Sequence, residues 1–209
     1  RAERVPFVEL ARICDQLLRN HPEVGQDKQF RIFQSLVRRA KLIDILYLPV
    51  GAGKTFIAVR WLIWRLDRAA RDGVKNPNGV YFCPNQWVEQ SVKRDLERHG
   101  LLPACIQVRR VSDPSALDLA ENAQAVVLDE CHNWGAEVEN QTTRYAQIHS
   151  ITSRRSIPTL GLSATPCRYS QGFDVLEFAR AFTGERGLSA FRPAMLLRDA
   201  IASGDRKSV

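Results

Sequence analysis

The chain has no apolar run long enough to span a bilayer and no signal peptide, so the expected location is the cytoplasm. Its five cysteines (Cys14, Cys83, Cys105, Cys131, Cys167) are scattered, and no two form a C-x-x-C pair. That spacing argues against a disulfide framework and against a thiolate zinc site, and leaves reduced thiols, with Cys83 and Cys105 as small core residues. Internal repeats and low-complexity segments are missing. Positive charge is missing locally: between Val111 and Thr143 there is no Lys or Arg, but there are seven acids, Asp113, Asp118, Glu121, Asp129, Glu130, Glu137 and Glu139. The net charge is +7, so the rest of the chain carries +14. Basic residues gather at Arg38-Arg39-Lys41, Arg60 to Arg71, Lys93-Arg94-Arg98, Arg109-Arg110 and Arg154-Arg155. A polyanionic partner suits that distribution; an ordinary solvated surface has the same composition.

What remains is ordinary globular material. At 209 residues, 44% hydrophobic and 25% charged, the chain can bury the core of one large domain, alone or with a small appendage. Phe7, Leu10, Ala11, Cys14, Leu17 and Leu18 recur at helical spacing up to Asn20-His21-Pro22, predicting a helical extension over residues 1–27. A second amphipathic helix places Phe30, Phe33, Val37 and Ala40 on one face. Strands and helices then alternate. The short apolar runs are 44–48, 80–83, 105–108, 125–128 and 159–162, and helices fall near 53–71, 86–99, 114–122, 142–153, 173–182 and 194–203. Apolar strands without alternation are those covered on both faces, so the expected fold is α/β with a mainly parallel sheet and helices on both faces. Residues 73–79 form a surface loop.

Ligands of such a sheet sit beyond the carboxyl ends of its strands, and four of those ends are chemically marked. The first leads into Leu48-Pro-Val-Gly51-Ala52-Gly53-Lys54-Thr55, a strand, a glycine-rich turn and a long apolar helix. Small residues there let backbone N–H groups and a helix N-terminus face a phosphate. Lys54 would then reach the β- and γ-phosphates of ATP, and the Thr55 hydroxyl would ligate Mg²⁺. The strict loop pattern has Gly where Leu48 stands. The second end is Ala125-Val-Val-Leu128 followed by Asp129-Glu130-Cys131-His132. Asp129 is placed to hold Mg²⁺ opposite Thr55, and Glu130 to take a proton from an attacking water. The other two are Pro84-Asn85 and Ser163-Ala164-Thr165-Pro166.

Together these motifs resemble the first RecA-like motor domain of a superfamily 2 helicase or translocase of the DExH type. The resemblance covers roughly residues 28–204, within a domain spanning 28–209. Motif I is Leu48 to Thr55, motif Ia is Cys83 to Gln90, motif II is Asp129 to His132, and motif III is Ser163-Ala164-Thr165; Arg31-Ile-Phe-Gln34 resembles the signature that contacts adenine. The extended Ser-Ala-Thr-Pro-x-Arg168 and the Ala200-Ile201-x-x-Gly204 element are most similar to the type III restriction subunit group and its repair and defence relatives. The resemblance implies ATP and Mg²⁺ as cofactors and DNA as the track, with RNA as the alternative. It assigns phosphate binding to Gly51, Ala52, Gly53 and Lys54, and metal binding to Thr55 and Asp129. Water activation falls to Glu130, and adenine contact to Arg31 and Gln34. His132, Ser163 and Thr165 would couple nucleotide state to grip, and Pro84, Asn85, Gln90 and Arg168 would face the strand.

Three positions depart from that pattern: Val50 for Thr, Asn85 for a basic residue, and Cys131 as a variant of the box. Trp87 stands where motif Ia usually has leucine and is expected to pack, with a nucleic-acid contact as the alternative. Trp61 and Trp64 are expected in the core, Trp134 exposed near the domain cleft, and His21, His99 and His149 on the surface. The first residue is Arg1 and the second RecA-like domain is missing, which reads as a fragment of a longer motor, with a nuclease or methylation subunit as a possible partner. An RNA helicase or nucleic-acid sensor, an ATP-gated binding module without turnover, and another phosphate-loop ATPase or kinase are the rival functions.

The missing domain would carry the arginine finger, a group that contributes about 10³–10⁵ in rate in related phosphoryl-transfer systems. The 209-residue chain alone is therefore expected to bind ATP–Mg²⁺ weakly and turn it over poorly. Steady-state hydrolysis at the rate of an intact two-domain motor would contradict that.

Overall fold

In the computed structural model, residues 27–98, 100, 102, 104–135, 143–164 and 175–184 are described. The expected helices over 1–27 and 194–203 lie outside these residues, as do Cys14, His21, His99, Thr165, Cys167 and Arg168. Five strands form one all-parallel sheet: β1 (Ile43–Tyr47), β2 (Gly79–Cys83), β3 (Ile106–Arg110), β4 (Ala125–Leu128) and β5 (Thr159–Ser163). Six helices connect or flank them: α1 (Asp27–Arg39), α2 (Lys54–Arg71), α3 (Gln86–Arg98), α4 (Ala116–Asn122), α5 (Arg144–Arg154) and α6 (Val175–Thr183), with a 3₁₀ turn at Cys131–Gly135. No described helix is long and apolar enough to cross a membrane.

The apolar strands have the cause expected of them. Successive residues point to opposite faces, and both faces carry a core. Leu46, Tyr81, Cys83, Val127, Leu160 and Leu162 pack on one side with Phe33, Leu36 and the buried stripe of α2. Ile45, Tyr47, Val80, Phe82, Val126 and Leu128 pack on the other with Tyr145, Ile148 and Phe182. Helix α2 buries Ile57, Ala58, Val59, Trp61, Leu62, Ile63 and Leu66, most of its length. It ends where the glycine allows: Gly73 takes a left-handed φ of 92°. Val74 N–H then reaches Ala69 C=O, and Gly73 N–H reaches Ala70 C=O, which satisfies the last carbonyls. In α1 the buried residues are Phe33 and Leu36, whereas Ala40, expected on the apolar face, is exposed and lies beyond the helix with φ 46°.

Strand order is β1-β5-β4-β2-β3. The register pairs Tyr47 with Ser163, Leu128 with Gly161, Phe82 with Leu128 and Cys83 with Arg110. The carboxyl ends are therefore level, and β5 lies between β1 and β4. Gly161 is what lets β5 pass there, because a Cβ at that position would sit 2.9 Å from both Cys131 Sγ and a Phe182 ring carbon.

Two sequence expectations fail on the α6 side. His149 is not on the surface; it is 9% exposed, with Nε2 2.7 Å from the Phe182 carbonyl. Trp134 is half-buried and meets the rings of His149, Phe178 and Phe182 at centroid distances of 5.2, 5.9 and 5.7 Å. The motif II turn is thus tied to α6 by an aromatic cluster whose far half is remote in sequence.

Burial holds the His149 pKa below its ordinary value, with the Phe182 carbonyl opposing. The folded chain refuses a proton that the unfolded chain accepts below about pH 6.5. Stability from this group is complete above that pH and lost as pH falls through it. The thermal midpoint of the wild-type chain is expected to drop more between pH 7.5 and pH 5 than that of His149→Gln. Equal drops in a melting series would show that His149 does not titrate on unfolding.

Candidate active site

The loop between β1 and α2 turns on two left-handed glycines, Gly51 with φ 82° and Gly53 with φ 83°. Residues with a Cβ adopt that region at a cost, so the glycines shape the turn. Gly53 is also the residue before α2, and no side chain caps it. The first turn of a helix presents backbone donors and the positive end of the helix dipole to an anion. Ala52 is buried, while Val50 is 73% exposed at the loop tip. Lys54 lies back over the loop, and its Nζ donates to the carbonyls of Leu48 and Pro49 at 3.1 and 3.3 Å. Burial lowers its pKa, and Asp129 and Glu130 oppose that shift, which places both acids in the electrostatic reach of the ammonium.

Asp129 is held on every side. Its N–H donates to Phe82 C=O at 3.0 Å, and its C=O accepts from the Tyr145 hydroxyl at 2.9 Å. Oδ1 accepts from Glu130 N–H at 3.0 Å, and Oδ2 from the Tyr81 hydroxyl at 3.0 Å. Burial, with Glu130 next to it, pushes its pKa up to about 6, against the pull of Tyr81 and Lys54. Tyr81 is fully buried in the middle of β2; burial and Asp129 raise its pKa, and Thr55 lies close enough to its hydroxyl to oppose that shift. One phenol therefore lies beside both residues expected to hold Mg²⁺. The sequence did not single out Tyr81, because a tyrosine in an apolar strand reads as core.

Thr55 and Asp129 offer two oxygens to a hard divalent cation, a donor set that fits Mg²⁺. Among the described residues no group of three or more His, Cys, Asp and Glu could hold a metal. An ion between Thr55 and Asp129 would complete its shell with phosphate oxygens and water.

Glu130 has φ 53°, left-handed without being glycine. Its carbonyl accepts from the backbone N–H and the side-chain amide of Asn133, both at 3.0 Å, which closes the turn. Its Oε2 is 3.2 Å from His132 Nδ1, and the same Nδ1 is 2.9 Å from Ser163 Oγ. His132 thus links the acid that follows β4 to the last residue of β5. The Cys131 thiol is fully buried and its pKa is raised by that burial, as expected for a packed thiol; the Cys83 and Cys105 thiols are also shifted up by burial, Cys105 to about 11.

Other expected residues are placed differently. Gln29 is the side chain against the loop: a Cβ on Gly53 would sit 2.2 Å from its Nε2. Arg31 is about 200° around α1 from Gln29 and Gln34 about 140°; Arg31 is exposed and Gln34 half-buried. Nothing in the sequence distinguished Gln29 from its neighbours. Asn85 caps α3, its Oδ1 accepting from Val88 N–H at 3.0 Å. Pro84 is half-buried and Gln90 exposed. Trp61 is buried, and Trp64 is half-buried beneath the Arg65 guanidinium, 4.8 Å from its ring. Trp87 does not pack as expected; it is 82% exposed. The reason is its place in α3, on the side away from buried Val92 and Leu96.

A left-handed Glu130 gives a discriminating outcome. Glu130→Gly is expected to melt above Glu130→Ala, because glycine relaxes at that φ and alanine keeps the strain, worth about 1 kcal/mol. At helical or extended positions the order is the reverse. Calorimetry on the two variants decides it, and an alanine variant as stable as the glycine one would remove the strain. No protein-family model and no curated protein matches the chain, so its chemistry is read from these residues alone.

Proposed function

We propose that the chain is the ATP-binding, RecA-like domain of a superfamily 2 helicase or translocase, coupling ATP hydrolysis to movement on DNA in a restriction, repair or phage-defence setting. The observation that supports this most directly is the convergence at one sheet edge of Lys54, Thr55 and Asp129, with the Tyr81 hydroxyl donating to Asp129 and lying beside Thr55. A second support is the strand order, with the Ser163 strand between the strands that carry Lys54 and Asp129.

In this reading Gly51, Ala52 and Gly53 wrap the phosphates with backbone N–H groups, and Lys54 leaves the Leu48 and Pro49 carbonyls for the β- and γ-phosphates. Mg²⁺ would neutralise charge on the leaving phosphates, held from Thr55 and Asp129. Glu130 accepts the proton of the attacking water. The hydrogen-bond geometry around His132 depends on where Glu130 points, so a change at the γ-phosphate passes to Ser163 and the β5 end. Asp129 and Glu130, Lys54 and Thr55 are all present, which favours turnover over a binding module that merely responds to ATP.

Hydrolysis is measured with the second motor domain supplied, adding single-stranded DNA, duplex DNA and RNA in turn. One polymer is expected to raise the rate, with DNA the expected track. Lys54→Ala is expected to lose nucleotide binding, and Glu130→Gln to keep it while hydrolysis falls about 10²–10⁴-fold. A flat rate with all three polymers would sink the motor and leave an ATP-gated module; stimulation by RNA alone would move the chain to the RNA helicases.

A further inference from the structure

Helix α5 takes hold of both ends of the turn that follows β4. At its start the Tyr145 hydroxyl donates to the Asp129 carbonyl at 2.9 Å. At its end Thr143 Oγ1, which caps α5 by accepting from Ala146 N–H at 3.2 Å, donates to the Trp134 carbonyl at 3.4 Å. Between those points lie Glu130, with its left-handed φ of 53°, and the 3₁₀ turn Cys131–Gly135. A residue other than glycine keeps such a φ where its surroundings over-determine it. Asn133 closes the turn from within, through its two bonds to the Glu130 carbonyl. Trp134 secures it from outside. Its ring stands edge-on to Phe178 and Phe182, at interplanar angles of 71° and 87°, and is tilted at 55° to His149. Edge-to-face pairs prefer this geometry, so the indole has a defined seat. The seat is itself fixed: Phe178 and Phe182 are buried, the Phe182 ring lies against Gly161 of β5, and the Phe182 carbonyl is 2.7 Å from His149 Nε2.

We propose that Trp134 is a positioning residue for water activation: seated in this cluster, it holds the turn in the shape that forces Glu130 left-handed and so aims its carboxylate. Trp134 acts through the turn and needs no contact with nucleotide or metal. The same seat sets His132, whose Nδ1 lies 3.2 Å from Glu130 Oε2. The inference deepens the proposed ATPase and rests on it for the reaction that Glu130 serves. Ordinary packing would stabilise the cluster alone. Positioning couples the indole to the backbone at residue 130.

The first arm of the experiment needs no nucleotide. Thermal midpoints of Glu130→Gly and Glu130→Ala are compared in the wild-type background and again with Trp134→Ala. The glycine variant is expected to melt higher in the wild-type background. With Trp134 truncated the turn relaxes, and the difference is expected to vanish. An unchanged difference, or none in either background, would reduce Trp134 to packing and overturn the proposal. The second arm measures hydrolysis with the second motor domain supplied. Trp134→Ala is expected to lower kcat by as much as about 10²-fold, the loss that a misplacement of about 1 Å brings, with the KM for ATP unchanged. Trp134→Phe, still able to meet Phe178 and Phe182, is expected to restore part of the rate. Phe178→Leu leaves the turn's own sequence intact and is expected to lower kcat in the same direction by less. It keeps the test standing if alanine at position 134 prevents folding. A kcat that holds in all three variants, or falls only with the folded fraction seen by circular dichroism, would also overturn the proposal. A wild-type chain that hydrolyses nothing removes the ATPase reading. A melting difference that vanishes in such a chain still assigns to Trp134 the bend at Glu130.

Discussion

A charged group at the end of a strand buried on both faces has few ways to exist, and Asp129 uses most of them. Its backbone is fixed through Phe82 and Tyr145, and its two carboxylate oxygens take hydrogen bonds from Tyr81 and Glu130. Even so, burial and the neighbouring Glu130 push its pKa up to about 6, so the ionised form is less favoured than in an exposed aspartate. A buried acid that is hydrogen-bonded yet uncomfortable when charged is suited to meeting a cation. The surrounding fold reads as the apparatus for keeping it there: an apolar strand delivers it, a tyrosine from the adjacent strand holds it, and an ammonium across the sheet faces it.

The level carboxyl ends do the rest. Because β5 separates β1 from β4, the lysine and the two acids approach across the end of a third strand, and that strand ends in Ser163. The histidine after the acids reaches back to that serine. The acid at 130 thus has a line to β5 through a single imidazole nitrogen. Its own backbone is bent into a conformation glycine would prefer, so its direction is set by the turn around it, which Asn133 closes.

The sheet was legible because parallel strands covered on both faces are largely apolar, and the five runs from 44 to 162 are mostly so, with the edge strand β3 alternating between buried and half-buried residues. Lys54, Thr55, Asp129 and Glu130 were legible because glycines and polar residues interrupt those runs at their ends. What could not be read were roles that depend on a partner far away in the chain. Tyr81 is an ordinary strand residue until its hydroxyl meets Thr55 and Asp129. His149 reads as a polar helix residue until α6 closes over it. Gln29 precedes the Arg31–Gln34 signature and carries no mark of its own, yet its amide is what lies against Gly53. Trp87 failed for the opposite reason: leucine's usual place suggested packing, but the turn of α3 carries that position outward.

The four residues of β4 carry an asymmetry between change of composition and change of length. Val127 serves one core, and Val126 and Leu128 serve the other. Exchanging one aliphatic side chain for another disturbs a single layer. Adding or deleting one residue would send every side chain to the wrong layer and carry Asp129 out of reach of the phenol that holds it. Descendants of this chain can therefore drift freely in the lengths of their surface loops, while the strand before the acids stays fixed in length and free only in which small hydrocarbons it displays.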